Sequence, residues 1–231
     1  MKKELDLVPS WVYSMADYCQ IFDLSDEDLT GNILDYPAGI SSFNAEMQAK
    51  GRTILSGDPM YDFSYEKIAA YAEQLIQINA AHLREHSQIL RQSSSQLLEV
   101  VLTDWEKSKR IFLEDYKKGK IEERYKFMKL PHLPFEDYTF DIALCSAHLF
   151  HTELTRDASR EALVKELCRV SKEVRVFPLL DEKGSVTDAL GRVMLNFQKL
   201  NYGIKISEVP YHQMKGGNAM LKIWTTECVV D

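Results

Sequence analysis

Two aspartates close short apolar runs near the start of the chain. Asp35 ends Asn32-Ile33-Leu34-Asp35, and Asp58, 23 residues later, follows Thr53-Ile54-Leu55-Ser56-Gly57. Between them lies Tyr36-Pro37-Ala38-Gly39-Ile40-Ser41-Ser42, a proline-stiffened turn of small residues. An ionised carboxylate only accepts hydrogen bonds, so an Asp at a strand end can take both hydroxyls of a ribose. Asp58 before Pro59 also suits an aspartate that simply caps a turn. The turn has a single glycine. It lacks the G-x-G-x-x-G and Gly-Lys-Ser patterns whose backbone amides surround a pyrophosphate. A ligand presenting an amino acid and a ribose therefore fits it better than one rich in phosphate.

Farther along, Ser146-Ala147-His148-Leu149-Phe150-His151 follows an apolar run over 140–146. Imidazole exchanges protons near neutral pH, which makes His148 and His151 the candidate general bases, with His132 third. Their i, i+3 spacing without a third ligand nearby does not make a metal site, and none is expected. Cys19, Cys145, Cys168 and Cys228 lie far apart with no C-x-x-C, as buried or half-buried thiols do in a reducing compartment. Trp11, Tyr13 and Tyr18 read as core or interface aromatics.

These residues need a sheet to hold them. Strands at 32–36 and 52–56 flank a helix at 41–50, a compact βαβ unit whose right-handed crossover makes the strands parallel. From Ser64, a candidate cap, the period turns helical through Ile68, Tyr71, Ala72, Leu75, Ile76 and Asn79. It breaks at Ser93-Ser94-Ser95 and resumes through Val101, Leu102, Trp105, Phe112 and Tyr116 until Gly119 stops it. Strands follow at 124–130, 140–146 and 173–180, and helices at 159–170 and from Leu190 to a stop at Gly203. Two alternating runs, 204–209 and 220–224, flank Lys215-Gly216-Gly217-Asn218 and predict a closing antiparallel hairpin. The expected fold is α/β: one domain, 1–231, with a leading helical segment over 1–30 and a helical insertion or lid over 64–122.

Composition narrows the partners. The chain has 231 residues, 45% hydrophobic and 27% charged, enough for a sizeable core. It has no apolar run long enough to span a membrane and no apolar stretch after Met1-Lys2-Lys3, so a cytoplasmic protein without a membrane role is expected. The net charge is −7, and residues 1–62 account for it with 11 acids against 4 bases. Lacking a basic stripe, the chain is poorly equipped to hold phosphate backbones, and nucleic acid is disfavoured. Lys107, Lys109, Arg110, Lys117, Lys118, Lys120, Arg124 and Lys126 alternate with acids, the texture of a solvated helix face.

Ile33-Leu34-Asp35-Tyr36-Pro37-Ala38-Gly39, Ser56-Gly57-Asp58 and above all Leu133-Pro134-Phe135-Glu136-Asp137-Tyr138-Thr139-Phe140-Asp141 resemble the first, second and fourth-strand signatures of class I S-adenosylmethionine-dependent methyltransferases. Phe177-Pro178-Leu179 and Gly216-Gly217-Asn218 resemble a subgroup with a D-x-P-x-G first motif. The resemblance implies a Rossmann-like, seven-stranded, mostly parallel doubly wound sheet, S-adenosylmethionine as cofactor and a small-molecule acceptor, with a protein side chain as second choice and a homodimer allowed. It implies that Tyr36, Pro37, Ala38, Gly39 and Ser41, beside Asp35, meet the methionine part, and that Asp58 meets the ribose. Pro131, His132 and Leu133 would line the adenine edge, and Ser146 the floor beneath the sulfonium. The chain departs from the wider family in having Pro37-x-Gly39 for G-x-G, and Lys129 where many relatives carry an acid. Two competing readings are a catalytically inactive descendant of the fold that serves a partner, and a nicotinamide-dependent oxidoreductase, which keeps Asp58 but lacks the glycine fingerprint.

Overall fold

The computed structural model describes residues 11–91, 95–146, 149–150, 157–181, 183–211 and 215–226. Seven strands form one sheet in the order β3-β2-β1-β4-β5-β7-β6: β1 Ile33–Asp35, β2 Leu55–Asp58, β3 Tyr125–Phe127, β4 Phe140–Cys145, β5 Ser171–Val176, β6 Tyr202–Glu208 and β7 Ala219–Thr225. Strands β1 to β5 pair in parallel, whereas β7 runs antiparallel to both β5 and β6. This is a Rossmann-like, seven-stranded, mostly parallel sheet, with the expected antiparallel pair at the C-terminal edge.

Period-two alternation assigns the faces. In β1, Ile33 and Leu34 go to opposite core clusters, and in β4, Ile142 and Leu144 join Ile33 while Ala143 and Cys145 join Leu34. Helices α5 (Asp157–Val170) and α6 (Asp188–Lys199) cover one face with Val164, Leu167, Val193 and Phe197. Helices α1 (Met15–Ile21) and α2 (Phe43–Ala49) cover the other with Tyr18, Ile21, Phe43 and Met47. Helices α3 (Tyr65–Glu85) and α4 (Ser95–Ile121), between β2 and β3, pack on each other through Ala72, Leu75, Val101 and Trp105. Their cluster also buries Ala38 and Ile40, so the helical pair props the turn after β1.

Several boundaries differ from the expectations, for identifiable reasons. Strand β2 begins at Leu55 rather than Arg52, and β5 runs Ser171–Val176, ahead of Phe177-Pro178. The helix expected from Ser41 starts at Phe43, whose amide donates to Ser41 Oγ (3.0 Å). Gly119 does not stop α4, which continues to Ile121. A Cβ at Gly119 would lie 2.4 Å from the Tyr125 ring, so glycine there makes room for packing. Nor does Gly203 end α6. The chain turns at Asn201 (φ 61°), and Gly203 sits inside β6 beneath Trp224. Of the basic residues read as a solvated face, Lys109 and Arg124 are buried. The break expected at Ser93-Ser94-Ser95 falls mostly outside the described residues. Ser95 itself opens α4, and a single 3-10 turn, Ser87–Ile89, follows α3.

Gly203 yields a direct test. An added Cβ would come within 2.1 Å of Trp224 Cε2, closer than atoms tolerate. Gly203→Ala must push the indole off the strand and should cost about 2 kcal/mol, read as a lower urea midpoint with unchanged slope.

Candidate functional site

Strand order reverses between β1 and β4, and in such sheets ligands bind beyond the carboxyl ends at that reversal. Asp35 is the last residue of β1, Asp58 the last of β2, and Ser146 follows β4. All three are buried.

Asp35 is held from two sides. The Tyr18 hydroxyl donates to Oδ1 at 2.9 Å and also meets Ser146 Oγ at 2.8 Å. Ser56 Oγ donates to Oδ2 at 3.4 Å. Tyr18 reaches this point because the Ser14 capping box starts α1 and the Tyr18 ring stacks on Phe43 of α2 at 4.3 Å. Asp58 serves as a clip: Oδ2 accepts the Gly39 amide at 2.9 Å and Oδ1 the Met60 amide at 2.8 Å. Ala38 N donates to Gly57 O, and the Tyr61 hydroxyl donates to Gly39 O at 2.7 Å. Three of these bonds, all but the one to Met60, dock the 36–39 turn onto the end of β2 and the 3-10 turn that follows it. Gly39 takes φ 59°, which glycine adopts without strain, and nothing lies within 4 Å of the position a Cβ would occupy.

Burial dominates the electrostatics. Loss of water raises the Asp35 carboxyl to about 7, with the nearby Asp58 charge adding to the rise and the Tyr18 and Ser56 hydroxyls opposing it. Asp58 rises to about 6 for the same leading reason, and its two amide donors hold it lower than burial alone would. The Asp58 charge thus acts on Asp35 across neighbouring strand ends, and among the described residues no cation acts appreciably on either. Each ionises only at a cost, and a bound cation would remove much of that cost.

The structure brings together Asp35, Tyr36, Pro37, Ala38, Gly39, Ser41, Asp58 and Ser146. Tyr36 is buried, its amide bonds Leu144 O and its hydroxyl meets the Leu130 backbone, while the Tyr36–Pro37 peptide is cis. Ser41 Oγ lies in hydrogen-bonding reach of Tyr18. The 131–133 segment is also tied to α5. Leu133 N donates to Glu166 of α5 at 2.6 Å, and the exposed His132 faces the same carboxylate at 3.2 Å. Pro131 lines a separate groove with Tyr138, Lys165, Arg169 and Tyr202. The polar contacts of His132 and Leu133 run to Glu166 of α5, while the Leu133 side chain is buried in the same cluster as Leu34 and Tyr36. His148 and His151 lie outside the described residues.

Three contributors escaped sequence reasoning. Tyr18 reads as core filling because nothing local marks a contact to residues 17 and 128 positions away. Asn44 and Arg124, which stand behind Ser56, carry no motif; a polar Asn on the inward face of α2 is the one available signal.

No protein-family profile matches the sequence. An uncharacterised protein of Methanocaldococcus jannaschii is 29% identical over 212 residues, which span 90% of this chain and 91% of that protein. Among solved structures, the chain is similar to a TehB-like SAM-dependent methyltransferase of Corynebacterium glutamicum, with 14% identity, 86% and 81% coverage of the two chains, and a TM-score of 0.41. It is similar as well to a possible histamine N-methyltransferase of Thermotoga maritima, with 14% identity, 91% and 89% coverage, and a TM-score of 0.44. A third is the magnesium protoporphyrin IX methyltransferase of Synechocystis PCC 6803 with bound SAH, with 12% identity, 87% and 77% coverage, and a TM-score of 0.44.

Proposed function

We propose that the chain is an S-adenosylmethionine-dependent methyltransferase acting on a small molecule, with a protein side chain as the second choice of acceptor. The observation that carries this reading is the pair of buried carboxyls, Asp35 and Asp58, at neighbouring strand ends where the strand order reverses, with no cation acting on either among the described residues. S-adenosylmethionine brings an ammonium group, a sulfonium and a ribose diol, the groups that two carboxylates and a glycine turn free of phosphate-binding features suit. When bound, the cofactor supplies an electrophilic methyl on a sulfur that leaves as a neutral thioether.

The chain's own residues then have defined tasks. Asp35 would hold the cationic end, with Tyr18 and Ser56 fixing the direction of its oxygens. Asp58 already caps the Gly39 and Met60 amides, yet each of its oxygens has a second lone pair for a ribose hydroxyl. Open space at Gly39 leaves room for a ligand against the backbone. Tyr18 and Ser146 close the floor and keep water from Asp35. An acceptor that must lose a proton calls for a base, for which His148 and His151 are the sequence candidates. Catalysis of this kind depends mainly on in-line positioning.

One observation favours the second reading, an inactive methyltransferase fold: Asp58 is satisfied by the chain's own amides. Titration calorimetry with S-adenosylmethionine and S-adenosylhomocysteine separates the two. A methyltransferase should bind both at micromolar concentration. Silence toward both at millimolar concentration rejects the cofactor and leaves the inactive fold.

A further inference from the structure

Behind Asp35 a chain of buried polar groups runs to the helical pair. Ser56 Oγ, which donates to Asp35, accepts from Asn44 Nδ2 at 3.1 Å. Asn44 Oδ1 accepts from Arg124 Nη1 at 2.5 Å. Arg124 in turn grips Asp115 of α4 through two nitrogens, at 2.7 and 2.8 Å, and Glu122 through Nε at 2.8 Å. Asn44, Ser56 and Arg124 are all buried.

The chemistry gives the chain a direction. Guanidinium only donates, so Asn44 must turn its carbonyl toward Arg124 and its NH₂ toward Ser56. That amide also bonds Ile54 O and Arg124 O, so its two hydrogens are shared among three acceptors that all lie on the same side of the group. With a donor pressed against its oxygen, the Ser56 hydroxyl has its proton free for Asp35. Successive bonds in a low-dielectric interior polarise one another, so an Arg124 guanidinium fixed between Asp115 and Glu122 orders the last bond without entering the site.

We propose that Asn44 is a positioning residue that aims the Ser56 hydroxyl at Asp35, and that Arg124, anchored on Asp115, sets Asn44, so that α4 governs how readily Asp35 carries charge. The other groups acting on Asp35 are the Tyr18 hydroxyl from α1 and the Asp58 carboxyl from β2, and Asp35 in turn acts on Tyr61. None of them belongs to the relay. The relay rests on the cofactor reading only for what Asp35 finally holds.

The test uses ligand-free full-length protein with ¹³C-labelled aspartate, following the Asp35 carboxyl by NMR from pH 4 to 9. Asn44→Leu keeps much of the volume, removes the donor to Ser56 and adds no charge of its own. It should raise the Asp35 midpoint by about one pH unit, a tenfold change in the ionisation constant. Ser56→Ala deletes one hydroxyl and should raise it by a similar amount. Arg124→Lys, which keeps a charge opposite Asp115 and loses the contact to Asn44, should move it the same way by less. A residue that merely supports the fold would lower the melting temperature and leave the midpoint in place. An unmoved midpoint in a folded Asn44 variant overturns the proposal, and should that variant not fold, an unmoved midpoint in Ser56→Ala does so. A shifted midpoint in a protein that binds no S-adenosylmethionine keeps the relay and discards the cofactor.

Discussion

Ligand-free protein will lose stability as the pH rises from about 4 to about 7, opposite to the behaviour of a protein held by salt-bridged carboxylates. Asp35 titrates near 7 and Asp58 near 6 in the folded chain, against an ordinary 3.8. Between those limits the folded state binds more protons than the unfolded state, so the slope of stability against pH is negative. Their contribution is fully present below the unfolded value and is lost as the pH passes the folded values. A midpoint displaced from 3.8 to about 7 corresponds to about 4 kcal/mol, at 1.36 kcal/mol per pH unit. Below pH 4 the sign reverses. Asp28, Asp141 and Glu166 are held below their usual range by donors that include Arg175, Lys172 and Arg169, and their support disappears as they protonate. The result is a maximum near pH 4 to 5. Urea midpoints measured from pH 3 to 9 should trace it, and Asp35→Asn should flatten the alkaline limb. A cation bound at Asp35 must reverse the same slope, so S-adenosylmethionine should stabilise most above pH 7 and release protons on binding near pH 6.5. Calorimetry in buffers of different ionisation enthalpy reads that release. Stability rising through pH 5 to 7 in the ligand-free protein would remove the electrostatic basis of the site.

The parts of this molecule written in local pattern were legible. Apolar 140–146 and the i, i+3, i+4 repeat from Ile68 report burial, which sequence period records directly. That Asp35, Gly39, Asp58 and Ser146 gather at one edge was legible because a parallel sheet sends its strand ends there. What failed to show depends on partners distant in the chain. Arg124 sits in a run of alternating charges that a solvated helix would share, and only the inward turn of Asp115 and Glu122 distinguishes it. Gly119 and Gly203 look like helix stops, because a missing Cβ gives the same local signal whether it frees φ or admits a ring. For Asp58 the turn-capping reading and the ribose reading both survive, since one carboxylate has lone pairs enough for two amides and a diol.

Asp58→Ala is the substitution with the largest expected effect on binding. Hydrogen bonds to a charged acceptor are worth about 1.5–3 kcal/mol each. Losing two to a ribose diol would remove about 3–6 kcal/mol, and at about 1.4 kcal/mol per factor of ten the affinity for S-adenosylmethionine should fall by at least about 100-fold. The same change removes the acceptor for the Gly39 and Met60 amides, which undocks the 36–39 turn from β2 and adds to the loss. The stability of the ligand-free variant should cross that of the wild type with pH. At pH 5 the wild-type carboxyl is mostly protonated and serves as a cap at little electrostatic cost, so the variant is weaker. At pH 8 the wild type buries a charge that the variant lacks, and the difference shrinks or changes sign. A variant that is destabilised at pH 5 yet binds S-adenosylmethionine with wild-type affinity would assign Asp58 to the turn alone. Loss of affinity with the pH crossover intact would assign it to both the turn and the ribose, because the two effects draw on different lone pairs of the same carboxylate.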